Sequence, residues 1–274
     1  MKEPFVSIHK SVYVIKEWQD RSPGLVAGFT TKEGGMSGAV FKSLNMGFHV
    51  GDCVEHVCEN RQLLSKTLDF PVSSWVGAVQ THEDRIVTVG EKDKGKGALD
   101  YQTSFEATDG FFTDEKGILL TLCYADCVPL YFFSNKFNRI GTAHAGWKGT
   151  VSGIGLKMVK KWEEEGIPLQ EIEVVIGPSI CGDCYIVDDY VIDKARQWEE
   201  SNNALFYAPV DGRKSNYHLS LQQLNKLILM KAGIPQENIQ MTHYCTSCHS
   251  EFFSHRRDLG KTGRMMGFIG WKEK

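Results

Sequence analysis

No stretch of this chain approaches the ~18 consecutive apolar residues of a membrane-spanning helix, so a helical membrane protein is not expected. The opening residues, MKEPFVSIHKSVYVIKEW, lack the apolar core of a secretory leader, which makes a cytoplasmic location the expectation. Neither charge sign is in excess. With 31 Lys and Arg against 34 Asp and Glu, the formal net charge is −3, which argues against general binding to nucleic acid or an anionic membrane. Any basic site must be local. A fixed-period repeat, a charge block and a low-complexity linker are also missing, so a single domain over residues 1–274 is the expectation. Of the nine histidines, no two form an H-x-H pair.

What is present suits a folded enzyme-sized core, with 42% hydrophobic and 11% aromatic residues. Strand-like and helix-like segments alternate. GLVAGFTT (24–31) reads as a strand, KEGGMSGAVFKSLNMGFHVGD as a long Gly-rich loop, and 54–68 as a helix with apolar residues at i, i+3, i+4 spacing. Short strands follow at SSWVGAVQTH and DRIVTVGE. Two or three buried strands occupy 109–133, with Pro129 predicted to break the run before the last. RIGTAHAG reads as a strand, the segment from Gly149 to Gly166 as a helix and EIEVVIGPSI as a strand. Helices at 188–200 and 219–232 and strands at NIQMTHY and RMMGFIGW close the chain. Residues 201–216, polar and turn-rich, form a candidate surface excursion or boundary.

Eight cysteines fall in four close pairs: Cys53/Cys58, Cys123/Cys127, Cys181/Cys184 and Cys245/Cys248. In a reducing compartment this pattern favours metal binding or catalysis over disulfides, with inert buried thiols as the alternative. Cys245 to His249 spell C-x-x-C-H, a haem-attachment string, but covalent haem normally accompanies export. CGDC (181–184) and CTSC (245–248) are two C-x-x-C knuckles able to form a four-thiolate zinc site, although their separation far exceeds that of compact zinc modules. A third constellation is less regular. His82 follows a strand, Cys127 lies between strand-like segments, and His144 ends a strand before a helix. Two imidazoles and a thiolate would leave zinc one open position, as catalysis requires. Small residues Ala143, Ala145 and Gly146 leave room around His144, while Trp147 offers an aromatic wall and Lys148 a cation at a helix start. Asp126, beside Cys127, suits either an acid/base role or orientation of a ligand imidazole.

At these residues the chain resembles a known family. QTH, ADCVP, AHAGWKG, GPSI, the CT of CTSCHSEFFSHRRD and TGR, preceded by SLNMGFHVGD and ENR, occur in the order of the YfiH/YlmD family, also labelled laccase-domain or polyphenol oxidase proteins and purine nucleoside phosphorylases. The resemblance spans about Gly28 to Gly270. It implies an α+β fold, a single compact α/β-sandwich with mixed sheets, shared distantly with the catalytic domain of cytotoxic necrotizing factor toxins. It also implies zinc held by His82, Cys127 and His144, and treats Cys248 and His249 as incidental. Two positions depart from the pattern: Lys148 stands where Arg is frequent, and His255 where Tyr is frequent. Lysine keeps the charge but loses the bidentate fork.

The resemblance implies phosphorolysis of adenosine, inosine or methylthioadenosine to free base and ribose 1-phosphate, with adenosine deamination as a second activity. A purine nucleoside and phosphate are then the partners, and the oligomeric state is left open, a monomer included. For that chemistry Arg61, Lys148 and Arg257 are candidate anion holders and Asn45 a hydrogen-bonding partner, with Cys127, Asp126 and His144 as candidate catalytic groups. Three rivals stand beside it: a zinc- or Cys/His-dependent amide hydrolase acting on peptidoglycan precursors, a zinc-stabilised protein without catalysis, and a copper polyphenol oxidase. The last is disfavoured because multicopper sites need many imidazoles.

Overall fold

The computed structural model describes residues 2–199 and 206–273. An N-terminal hairpin, β1 (Phe5–His9) and β2 (Val12–Ile15), leads through α1 (Lys16–Arg21) to β3 (Leu25–Thr30). The hairpin and α1 were not among the sequence expectations. After the long loop come α2 (Val54–Leu68), β4 (Trp75–Val76), β5 (Ile86–Thr88), β6 (Gly110–Thr113), β7 (Ile118–Tyr124), β8 (Val128–Ser134) and β9 (Arg139–Ala145). Then follow α3 (Trp147–Val151), α4 (Ile154–Glu164), β10 (Glu173–Ile176), β11 (Ile186–Asp188), α5 (Asp189–Ala195), β12 (Tyr207–Pro209), β13 (Asn216–Leu219), α6 (Leu221–Lys231), β14 (Ile239–Met241) and β15 (Met265–Trp271).

Two mixed six-stranded sheets form the frame, with strand orders β1-β2-β3-β15-β7-β4 and β14-β10-β8-β9-β6-β5. Alternation along buried strands assigns their faces. Leu120 and Leu122 of β7 pack with Tyr131 and Phe133 of β8 in the core between the sheets. Leu119 instead faces Leu64 and Leu68 of α2. On the far side of the second sheet, Leu130 and Phe132 meet Met158 and Trp162 of α4 and Leu224 and Ile228 of α6. The result is a compact α+β sandwich, helix over sheet over sheet over helix. Each fully buried Leu or Phe in these layers contributes about 1.5–3 kcal/mol. A small sheet, β11-β13-β12, sits outside this stack.

Four expectations change. The strand expected over SSWVGAVQTH is confined to Trp75–Val76, which leaves His82 in a loop. Pro129 lies within β8, paired with His144, and the break falls earlier, at Asp126. The helix expected from Gly149 to Gly166 is two helices, parted where Gly153 takes φ +77°. Of the 201–216 excursion, 201–205 lie outside the described residues, while the rest supplies β12 and the start of β13.

Candidate active site and metal centre

Strand register brings the chemistry together. β8 and β9 pair with Val128 opposite Ala145, so Cys127, one residue before β8, extends toward Gly146. A Cβ on Gly146 would come within 3.1 Å of both Cys127 Sγ and His82 Cδ2, so only glycine leaves space for thiol and ring to converge. β6 pairs with β9 on the other side, Gly110 opposite Ala143, and the ladder continues as His144 N–H donates to Asp109 O at 2.7 Å. His82 comes from the loop between β4 and β5. Its ring centroid lies 4.8 Å from that of His144.

Asp109 holds this assembly. Its carboxylate, fully buried, accepts from the backbone N–H groups of Thr81 (3.1 Å), His82 (3.1 Å) and Glu83 (2.9 Å) and lies 2.7 Å from His144 Nδ1. One side chain thereby fixes the left-handed turn at His82 (φ +62°) and the orientation of the His144 ring. With Nδ1 engaged, Nε2 is the atom His144 has left for a metal. The ligand atoms of exposed His82, half-buried Cys127 and buried His144 all lie within 4.8 Å of one another. Burial opposes a Cys127 thiolate, but the His144 charge and hydrogen bonds from both imidazoles outweigh it and pull the thiol down to about 6. Reciprocally, burial opposes a charged His144, while the Cys127 thiolate and Asp109 raise it to about 9. The donor set fits zinc, with three protein ligands and room for a fourth.

The other sequence candidates are redistributed. Asp126 does not orient an imidazole: Thr246 Oγ1 donates to its Oδ1 at 2.6 Å and Arg256 N to its Oδ2 at 2.7 Å, within a turn of φ +86°. Asp109 takes the orienting role foreseen for it. Arg61 is buried, its guanidinium donating to the carbonyls of Met46, Gly97 and Ala98 at 2.6–3.1 Å. It braces three backbone segments instead of presenting a free cation. Asn45 is fully buried and saturated, donating to Gly47 O and Asp52 Oδ2 and accepting from the N–H groups of Gly47 and Arg264. Arg257 is likewise engaged, with the carbonyls of Thr246 and Phe252 and both oxygens of Asp258. Lys148 is exposed, its Nζ 5.8 Å from the Trp147 ring centroid, and unlike exposed Arg257 it has no carbonyl or carboxylate partner among the described residues.

Arg264 and His49 were not singled out. Arg264 Nη1 donates to Thr262 O and Gly263 O, while its Nε and Nη2 have no acceptor among the described residues. Burial lowers its proton affinity, and Cys123, Cys127 and Asp126 offset part of that, which places the guanidinium in the field of the site. The signal was the TGR string (262–264), recognised without a role for its Arg. Burial, together with Arg264 and Arg61, holds His49 below its ordinary pKa, although the residue as a whole is exposed. A cleft of about 960 Å³ between 32–43 and 247–261, lined by Lys32, Lys42, Lys261 and Arg257, does not include His82, Cys127 or His144.

Two packed mixed sheets carrying a His/Cys/His centre at the margin of one of them define the class. The chain belongs to the family described as multi-copper polyphenol oxidoreductase laccase, which matches residues 26–272. It is 47% identical over 275 residues to the purine nucleoside phosphorylase YlmD of Bacillus subtilis, covering 98% of each chain. Among solved structures, it superposes on a Bacillus licheniformis hypothetical protein YfiH with TM-score 0.94 at 45% identity, covering 99% of this chain and 100% of that one. YlmD from Geobacillus stearothermophilus gives the same TM-score at 42% identity and the same coverage.

Proposed function

We propose that this protein is a zinc-dependent purine nucleoside phosphorylase that also deaminates adenosine. The observation that carries the reading is the His82/Cys127/His144 donor set braced by Asp109, together with the name borne by a relative alike over nearly the full chain. In phosphorolysis the N-glycosidic bond breaks, the base leaving with the bonding pair and gaining a proton. A phosphate oxygen then bonds to the anomeric carbon. The chain must hold a phosphate beside a sugar gaining positive charge. Arg264, with the N–H groups of Nε and Nη2 open, and exposed Lys148 suit the anion. Arg61, Asn45 and Arg257 act one step back by fixing the loops around them. Zinc bound by the three ligands would supply a Lewis acid with an open position. Cytoplasmic residence belongs to the same reading, as does a single domain over 1–274; among the described residues no helix is long and apolar enough to cross a membrane. Copper is the poorer fit, because just one of the two metal-competent groups among the described residues contains histidine, and it holds two imidazoles. The His82→Ala variant is expected to lose the zinc of this centre, phosphorolysis and deamination together; full activity in a variant whose His/Cys/His centre holds no metal would refute the zinc requirement.

A specific observation supports a second reading. Cys127, His144 and Asp109 also line up as nucleophile, base and orienting carboxylate, the arrangement of a cysteine hydrolase. That reading expects turnover of an amide by metal-free protein without phosphate.

A further inference from the structure

Four thiols far apart in sequence meet at the open end of the second sheet. β10 and β14 run parallel with Ile176 opposite Met241, so the segments leaving them travel side by side, and Ser179 and Cys245 form a bridge. The first segment carries Cys181 and Cys184, the second Cys245 and Cys248. All four Sγ atoms lie within 4.8 Å of one another, with Cys184 to Cys248 at 3.4 Å and Cys181 to Cys248 at 4.0 Å. Zn–S bonds of about 2.3 Å in a tetrahedron require sulfur separations of roughly 3.8 Å. The observed spacings bracket that value and exceed the ~2 Å of a disulfide.

Backbone geometry adds an independent indication. Cys245 Sγ accepts from the N–H of Cys248 at 3.4 Å, the turn of a metal knuckle, and from the N–H of Cys181 at 3.2 Å across the two segments. Such donors stabilise a thiolate rather than a thiol. We propose that Cys181, Cys184, Cys245 and Cys248 bind a structural zinc ion that clamps the segment after β10 to the segment after β14.

The clamp bears on loops already described. Thr246, between the two knuckle cysteines, donates to Asp126, and Ile180 N–H donates to Asp126 O, so the ion holds both neighbours of the turn that presents Cys127. The tetrathiolate offers no open position and no part in the reaction. Binding displaces thiol protons to solvent, making affinity fall in acid.

The test is metal content of the full chain, purified under reducing conditions and dialysed. With His82→Ala and His144→Ala combined, one equivalent of zinc is expected to remain; adding Cys181→Ser and Cys248→Ser should remove it. A zinc-free His variant overturns the proposal, as does retention of the ion by the quadruple variant. If the serine variant fails to fold, cobalt-loaded wild-type protein decides. Sulfur-to-cobalt charge transfer of the strength of four thiolates on one ion, added to the single Cys127 contribution, supports the site, and the strength of one thiolate alone overturns it. Freshly alkylated protein showing a Cys184–Cys248 disulfide would equally overturn it.

Discussion

His144 Nδ1 stands 2.7 Å from Asp109 Oδ1, and both side chains are shut away from solvent. That contact sets the imidazole and, through the same carboxylate, the backbone from Thr81 to Glu83. Asp109→Asn keeps one acceptor but turns an amide N–H₂ toward backbone donors. Zinc affinity, measured by chelator competition, is expected to fall about 10- to 100-fold. Unchanged affinity would show that Asp109 does not orient the ligand.

Arginines at two positions should behave oppositely. Arg61→Ala strands the carbonyls of Met46, Gly97 and Ala98, and denaturant unfolding is expected to show a loss of about 2–3 kcal/mol. Arg264→Ala should leave stability nearly intact and raise KM for phosphate more than it lowers kcat. Reversed outcomes would return Arg61 to the role of anion holder.

The Cys127–His144 pair gives a pH signature in metal-free protein. A thiol held at about 6 stabilises the fold above its unfolded value of about 8.5, and this contribution is lost as pH falls through about 6. An imidazole raised to about 9 stabilises below its unfolded value of about 6.5 and loses this as pH rises through about 9. The ion pair therefore populates the interval between about pH 6 and about pH 9. Cys127 alkylation by iodoacetamide is expected to rise with a midpoint near pH 6, against roughly pH 8.5 for an ordinary thiol. An ordinary midpoint would remove the ion pair from the account.

Gly146→Ala probes packing at the centre. Its φ of −65° accepts alanine, so the effect comes from a methyl 3.1 Å from Cys127 Sγ and His82 Cδ2. Weaker zinc binding with an unchanged circular dichroism spectrum is expected; unaltered binding would mean the ligands converge elsewhere.

Helix α2 was legible to the residue because Val57, Leu64 and Leu68 recur at helical spacing on one buried face. His82, Cys127 and His144 stood out in sequence as a loose constellation, and the family resemblance named them as ligands; the structure brings their ligand atoms within 4.8 Å of one another, with His82 on a loop, Cys127 beside a strand and His144 within one. Asp109 was not, because only the β6/β9 register places it beside His144. Asn45 and Arg61 misled for a related reason: motif polarity reveals a required hydrogen bond but not whether its partner is a ligand or a buried carbonyl. The two C-x-x-C knuckles were legible as a possible four-thiolate group, but their long separation argued against it and the resemblance left Cys248 incidental; the parallel β10/β14 pairing that closes the separation cannot be read from spacing.

Product chromatography after incubating zinc-loaded protein with adenosine, with and without phosphate, tests the central claim most directly. Adenine and ribose 1-phosphate in the phosphate sample alone, and inosine in both, are the expected result. Adenosine left intact in both samples would contradict the nucleoside reading and bring the Cys127/His144/Asp109 hydrolase forward.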